Sequence, residues 1–186
     1  MGGGVTVDAE LRLPDRAAGL VIFAHGSGSS RLSRRNRAVA GVLEEAGFGT
    51  LLLDLLTPQE ESVDERTGQY RFDIEMLGHR VVSATDWAHA HSELHDLPVA
   101  FSGASTGAAA ALIAAAARPE IACAVISRGG RPDLADATLP HVQAPTLLIV
   151  GGHDEAVIGM NREAMQQMRA PVELVIVPGA THLFEE

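Results

Sequence analysis

The feature that most constrains the fold of this chain is a regular alternation of short apolar runs with longer stretches of helical period. The runs are four to six residues long and almost continuously apolar, which is typical of parallel strands covered on both faces of a sheet. They lie at residues 20–24, 50–55, 99–102, 121–126, 146–150 and 172–177. A seventh segment, residues 5–13, is apolar at every second position, which predicts a half-exposed antiparallel strand at the sheet edge.

Four stretches between these runs have the apolar spacing of helices, and they cover residues 34–46, 74–92, 106–117 and 155–168. Residues 58–71 are polar and are predicted to form a loop. Strands that alternate with helices require right-handed crossovers, and 186 residues are the size of one ordinary domain. The sequence therefore predicts an α/β fold, with a doubly wound, mostly parallel sheet of about seven strands in a single domain over residues 1–186.

The charged residues exclude several functions. The net charge is −10, which would repel phosphate backbones and anionic lipids, so neither nucleic acid nor a membrane surface is expected as a partner. All 14 basic residues are arginine, which excludes a Schiff-base lysine and the lysine of a Walker-type phosphate loop.

The remaining composition predicts a chain without disulfide or metal. Cys123 is the only cysteine, and its place in an apolar run predicts a buried, inert thiol. His91 and His95 lie one helical turn apart, but no third ligand accompanies them, so no metal is expected. No signal peptide is evident, and no apolar stretch approaches the roughly 20 residues that span a bilayer. We therefore expect a cytoplasmic protein.

The segment between the predicted strand at 99–102 and the helix at 106–117 carries the strongest chemical signal. It reads Gly-Ala-Ser-Thr-Gly at residues 103–107, the Gly-x-Ser-x-Gly pattern of a nucleophile elbow. In that turn the serine side chain stands exposed on a strained backbone, and glycines at the flanking positions avoid collisions. A glycine- and serine-rich loop before a helix is the alternative, but it would not require both glycines. Ser105 is therefore the predicted nucleophile.

A serine nucleophile needs a histidine base and an acid that orients it, and both candidates follow strands. Asp154 comes after the run at 146–150, and His182 comes after the run at 172–177, in the chain order serine, acid, histidine. Glu155 is the alternative acid, since Asp154 could merely cap the helix that begins beside it. Ligands bind at the carboxyl ends of the strands in such sheets, so the three residues are expected to meet there.

The loop after the first parallel strand reads His-Gly-Ser-Gly at residues 25–28. An oxyanion needs two converging backbone N–H donors, and we assign Ser27 in this loop and Thr106 after the nucleophile. The alternative is a dinucleotide fingerprint, with Gly26, Gly28 and Asp54. Arg31 occupies its third glycine position, however, and this alternative leaves the elbow unexplained.

Four segments together resemble the dienelactone-hydrolase-like branch of the α/β-hydrolases. They are FAHGSGSSR at 23–31, GASTG at 103–107, GGHD at 151–154 and GATH at 179–182, and the resemblance extends over nearly the whole chain. It implies a hydrolase without a cofactor that acts on small-molecule esters or lactones, with the triad and oxyanion donors at the positions given above. Dienelactone hydrolases proper use a cysteine nucleophile, so the serine here predicts a different substrate.

Three arginines are candidate substrate-binding residues. Arg128 and Arg131 follow the strand at 121–126, where a guanidinium could clamp a substrate carboxylate, although Arg131 could instead pair with Asp133. Arg31 lies nearest the oxyanion loop. Only residues 127–145 fill the interval in which many α/β-hydrolases carry a lid, which predicts an open site that favours short acyl groups.

The sequence stops four residues after His182, where related proteins continue into a helix. The absence of that helix predicts an open apolar sheet face and a possible homodimer. Two functions compete with an ester hydrolase: a catalytically silent protein of the same fold that binds a ligand or partner, and an acyltransferase that uses the same residues.

Overall fold

The computed structural model of the protein describes residues 4–184. Its seven strands form one sheet in the order β1-β3-β2-β4-β5-β6-β7. β1 pairs antiparallel with β3 at one edge, and every other neighbouring pair is parallel. The strands are β1 (Ala9–Arg12), β2 (Leu20–Ala24), β3 (Gly49–Leu53), β4 (Val99–Ala104), β5 (Ala122–Arg128), β6 (Thr146–Gly151) and β7 (Val172–Val177). The predicted fold class is confirmed, including the antiparallel edge strand.

Five α-helices accompany the sheet within the described residues, and four of them are those that the apolar spacing predicted. The helices are α1 (Arg34–Glu45), α2 (Pro58–Thr67), α3 (Ile74–Ala90), α4 (Thr106–Ala117) and α5 (Glu155–Gln167). The alanine-rich α4 is the most deeply buried, with Ala108 to Leu112 fully shielded from solvent. Because alanine side chains are short, α4 packs closely on the centre of the sheet and fixes the position of its own first residue.

The helix α2 was not predicted, and the interpretation of residues 58–71 as a loop is wrong. A capping box starts the helix: the Thr57 hydroxyl accepts from Glu60 N, and the Glu60 carboxylate accepts from Thr57 N. Pro58 occupies the first turn, and Gly68 ends the helix in the left-handed conformation with φ 66°. Only Asp64 of α2 is buried, so the helix lacks the apolar stripe by which the others were found.

The prediction that all parallel strands are covered on both faces is wrong for the β5–β7 side of the sheet. Val175 and Ile176 are 38% and 37% exposed, and Cys123 in β5 is also exposed, which corrects the prediction of a buried thiol. A surface cavity of about 480 Å³ lies on strands β5 to β7. α5 contacts β6 and β7, and among the described residues no helix follows β7. The homodimer expected to cover an open face stays a prediction.

The interval between β5 and β6 holds the segment Pro132–His141, two short 3-10 helical pieces separated by a kink at Asp136, which packs against α4 and α5. It is a small element that buries its own Leu139, and it forms no lid domain. Within residues 4–184, no helix combines the length and the apolar character that crossing a bilayer requires.

Candidate active site

Ser105 stands at the turn between β4 and α4, as the elbow motif predicted. β4 ends at Ala104 and α4 begins at Thr106. Ser105 itself has φ 50° and ψ −123°, a strained backbone conformation for a residue with a side chain. The two neighbouring glycines are required because a side chain at either position would collide with the backbone. A Cβ at Gly103 would lie 2.4 Å from Ala108 Cα, and one at Gly107 would lie 2.3 Å from the Ala24 carbonyl oxygen. Tight packing on both sides therefore holds the strained serine in place.

His182 and Asp154 form a direct pair. His182 Nδ1 lies 2.6 Å from Asp154 Oδ2, and the carboxylate is more shielded than the imidazole. Asp154 occupies the N-cap position of α5, yet its side chain makes no capping hydrogen bond, so the carboxylate is free to hold His182. Glu155, the alternative acid, is the exposed first residue of α5. A proton on Nδ1 that bonds Asp154 leaves Nε2 as the base nitrogen.

Two glycines bring the His182 loop to the ends of β5 and β6. A Cβ at Gly151 would lie 2.3 Å from the Thr181 carbonyl oxygen, and one at Gly129 would lie 2.8 Å from the His182 carbonyl oxygen. His153 N also donates to the Ala180 carbonyl at 3.0 Å. Sequence analysis assigned no role to these glycines, although their position directly after strands was a usable signal.

Ser105 and His182 line the same cavity, which has a volume of about 230 Å³. The cavity also contains residues of the 25–28 loop, of the start of α1 and of the end of β5, including Ser27, Asn36 and Arg128. Within residues 4–184, no hydrogen bond joins the Ser105 hydroxyl to His182. Such contacts are often long in unliganded sites and shorten when substrate binds.

The two predicted oxyanion donors are neighbours. Ser27 Oγ lies 3.1 Å from Thr106 Oγ1, and Thr106 is the first residue of α4, where a helix leaves its backbone N–H groups without an internal acceptor. A Cβ at Gly26 would approach Ser105 Cβ to 3.0 Å, so this loop lies directly against the nucleophile. Ser27 and Thr106 therefore lie beside Ser105, and their role as oxyanion donors stays a prediction.

His25 anchors the 25–28 loop, the predicted oxyanion loop, a role that the sequence did not suggest. Leu55 N donates to His25 Nε2 at 2.9 Å, which leaves the proton on Nδ1, and Nδ1 donates to the Gly26 carbonyl at 2.8 Å. The side chain is buried, and this burial lowers the pKa of His25. A neutral imidazole therefore links the loop to the chain beyond β3.

The three predicted substrate-binding arginines differ in their surroundings. The Arg31 guanidinium pairs with Asp54 and lies 3.3 Å from Asp8. Arg131 pairs with Asp133 at 2.7 Å, the alternative that the sequence left open. Of the three, only Arg128 lines the cavity that holds Ser105 and His182. Arg31 and Arg131 do not line this cavity, and their role in substrate binding stays a prediction.

Arg128 carries its charge into the cavity. Its guanidinium donates to Asn36 Oδ1 at 2.8 Å and stands 6.0 Å from the ring centre of Phe184. Burial, and secondly the charge of Arg35, lower the pKa of Arg128. No carboxylate within residues 4–184 forms an ion pair with it.

A second cavity, of about 210 Å³, lies on the other side of the oxyanion loop and shares Gly26, Ser27 and Ser29 with the first. One of its borders is formed by α2 and the turn that follows. Asp64 anchors that turn by accepting from the backbone N–H groups of Tyr70 and Arg71 and from the Arg71 side chain. Although burial alone would raise it, these bonds lower the pKa of Asp64.

The groups described so far make no metal centre. In the part of the chain that the structure describes, no three histidine, cysteine, aspartate or glutamate side chains are grouped to hold a metal ion.

Comparison with known proteins adds to this geometry. Residues 7–186 match the model of the dienelactone hydrolase family. The chain belongs to the dienelactone hydrolase family. A dienelactone hydrolase from Anabaena variabilis, solved by crystallography, is 58% identical with a TM-score of 0.96, and the match covers 99% of this chain and 85% of that one. The resemblance stated from the four motifs is confirmed, and the chain has the α/β-hydrolase fold.

Two further proteins are similar to this chain, one in sequence and one in fold. A Mycobacterium tuberculosis protein with the provisional name phosphoribosyl transferase is 53% identical over 186 residues, which are 100% of this chain and 41% of that protein. The chain therefore spans about two fifths of the length of the curated relatives it matches. Est1E from Butyrivibrio proteoclasticus has a TM-score of 0.81 at 19% identity, over 100% of this chain and 90% of that one, and shares the fold.

Proposed function

We propose that this protein is a serine hydrolase that cleaves small carboxylic esters or lactones through an acyl-enzyme on Ser105. The observation that carries the proposal is one cavity that contains a serine on a strained elbow and a histidine whose Nδ1 bonds a carboxylate at 2.6 Å. A serine hydroxyl is a poor nucleophile near neutral pH unless a positioned base accepts its proton. This arrangement supplies a nucleophile, a base that can accept its proton and an acid that orients the base.

In the proposed reaction, Ser105 Oγ attacks the substrate carbonyl carbon while His182 Nε2 accepts the hydroxyl proton. Asp154 holds the imidazole in the required tautomer and stabilises its charged form. The negative charge on the carbonyl oxygen is bound by the backbone N–H groups of Ser27 and Thr106. His182 then returns the proton to the leaving alcohol, and a water molecule attacks the acyl-enzyme by the same steps in reverse.

Short substrates are favoured in this proposal because the site has no lid domain. Without an apolar cover, each methylene of a long acyl chain would forgo up to about 0.8 kcal/mol of burial. On p-nitrophenyl esters, acetate and butyrate should exceed decanoate in kcat/KM. A higher value for decanoate would contradict an open site.

Arg128 favours an anionic group on the substrate. It is a half-buried cation in the cavity that Ser105 lines, and its guanidinium donates a hydrogen bond to the neutral amide of Asn36. A guanidinium with free N–H groups binds carboxylates well. The Arg128→Ala variant should therefore weaken hydrolysis of anionic esters much more than that of neutral ones.

The test of the proposed function is the intact mass of the protein after treatment with a fluorophosphonate, which labels only an activated serine quickly. We expect a single adduct that is absent in Ser105→Ala. The matched control is Ser83→Ala, which removes an exposed serine hydroxyl on α3 and should leave labelling unchanged. Slow or scattered labelling would favour the alternative, a catalytically silent binding protein. Product analysis with added alcohols separates a hydrolase from an acyltransferase.

A further inference from the structure

Asn36 is a buried polar residue in α1 that the proposed reaction does not use. It is 6% exposed, and the helix otherwise buries only Ala40. Asparagine is a poor helix former, and burying an amide is unfavourable unless it is hydrogen-bonded. The side chain of Asn36 accepts from the Arg128 guanidinium at 2.8 Å, and both residues line the cavity of Ser105. This contact gives the buried amide its partner.

The neutral partner distinguishes Arg128 from five other partly buried arginines. Arg128 is held by an amide oxygen, which orients the guanidinium but leaves its charge uncompensated. Five other partly buried arginines each pair with a carboxylate, in the pairs Arg31–Asp54, Arg71–Asp64, Arg80–Glu60, Arg118–Asp86 and Arg131–Asp133. A carboxylate at position 36 would have fitted the same space, because aspartate and asparagine have nearly the same shape.

We propose that Asn36 determines the charge specificity of the site, because it positions Arg128 without neutralising it and so leaves the guanidinium to a substrate carboxylate. The inference rests on the proposed function and deepens it. Asn36 acts through Arg128 and is a positioning residue. The substrates it favours are esters or lactones that carry a carboxylate within reach of the carbonyl group that Ser105 attacks.

The decisive variant is Asn36→Asp, which keeps the shape and adds one negative charge beside Arg128. The probe substrates are 4-acetoxybenzoate and 4-acetoxybenzamide, which have nearly the same shape and differ in one charge. We expect the ratio of their kcat/KM values, anionic over neutral, to fall about tenfold from wild type to Asn36→Asp, mainly through KM. That size corresponds to the difference between a charge-assisted and a neutral hydrogen bond. Comparing ratios between variants cancels the intrinsic reactivity of the two esters.

Two controls separate this role from general effects. Gln143→Glu adds the same charge at an exposed position outside the cavity, and the ratio should stay within about twofold of wild type. In an Arg128→Ala background, Asn36→Asp should change the ratio little further, because the residue through which it acts is gone. A full tenfold fall in that background would overturn the proposal.

Asn36→Ala provides a second variant that removes the anchor and keeps the charge of Arg128. We expect its ratio to fall less than that of Asn36→Asp. Equal falls in both variants would mean that only the position of Arg128 matters, and an unchanged ratio in Asn36→Asp would also refute the inference. If wild type hydrolyses neither ester and Ser105 is not labelled, the proposed function itself fails. Hydrolysis of both esters at ratios that Asn36→Asp does not alter defeats the inference alone.

Discussion

The anchor of the oxyanion loop predicts how stability depends on pH. Folded His25 is neutral, accepts from Leu55 N and donates to the Gly26 carbonyl, and burial lowers its pKa. The unfolded chain has an ordinary histidine pKa of about 6.5 and therefore binds more protons below that pH than the folded chain does. The stabilisation is complete above about pH 6.5 and is lost as the pH falls toward the lower folded pKa. The slope can reach about 1.4 kcal/mol per pH unit, the limit for one proton.

The window between pH 6.5 and 5 isolates this effect among the shifted groups of the described residues. Four carboxylates also have lowered pKa values, namely those of Glu10, Glu60, Asp64 and Asp86, but their ordinary values are 4.5 or 3.8. Stability from such groups is present above the ordinary value and is lost only as the pH falls below it. The two contributions therefore appear in separate parts of a titration.

The measurement is urea unfolding of wild type and His25→Gln at half-unit steps from pH 7.5 to 5. Glutamine can still accept from Leu55 N and donate to the Gly26 carbonyl, but it gains no proton. We expect His25→Gln to cost about 1–2 kcal/mol at pH 7.5, from less favourable hydrogen bonds, and to lack the slope between pH 6.5 and 5. His79→Gln, the same change at an exposed position of α3, should keep the wild-type slope.

A wild-type unfolding free energy that is flat over this window, or a slope that persists in His25→Gln, would refute the reasoning. Activity provides a second measurement, because His25 holds the loop that carries Ser27. On a short neutral ester, His25→Gln should lower kcat several-fold with little change in KM, since the oxyanion donors act mainly in the transition state.

Three further outcomes test the packing and the pair at the site. Gly107→Ala should destabilise the fold by several kcal/mol in urea unfolding, because its Cβ would lie 2.3 Å from a backbone carbonyl oxygen. The control is Gly159→Ala in α5, whose Cβ would meet nothing within 4 Å, and it should stabilise the fold by about 0.5–1 kcal/mol. Asp154→Asn should slow fluorophosphonate labelling by about a hundredfold or more, and Glu155→Gln should slow it less than twofold. A larger effect of Glu155→Gln would mean that Glu155, and not Asp154, is the orienting acid. Asp64→Ala should cost about 3 kcal/mol of unfolding free energy, and a loss below 1 kcal/mol would refute the anchoring role of its hydrogen bonds.

The sequence was sufficient for the sheet and for the strand ends at which Ser105, Asp154 and His182 lie, whereas their catalytic roles stay predictions. Each of the three lies three to five residues after the end of an apolar run, and parallel strands bring their carboxyl ends to one edge regardless of the details of packing. The elbow was predictable because a strained turn between strand and helix leaves few alternatives to glycine at positions 103 and 107.

Other features depended on signals that an apolar pattern does not contain. The helix α2 exposes seven of its ten residues, so its capping box and final glycine were the only sequence signals for it. Cys123 is exposed because no neighbouring element covers its side of the sheet. The composition of a strand does not determine which of its faces is covered. The pair of Asn36 and Arg128 joins residues 92 positions apart, a contact that a single sequence does not specify.

The contacts at the carboxyl edge explain why the site tolerates a strained serine. Gly107 lies against the backbone at Ala24 and His25, and Gly26 lies against Ser105, so the elbow and the oxyanion loop fix each other. The loop is fixed in turn by His25, because the backbone N–H of Leu55, just after β3, donates a hydrogen bond to its Nε2. A conformation that is unfavourable for one residue persists when its surroundings allow no alternative. The same contacts make the site sensitive to changes at Gly107 and His25, which take no part in the proposed reaction, so loss of activity in such variants reports on loop position rather than on chemistry at Ser105.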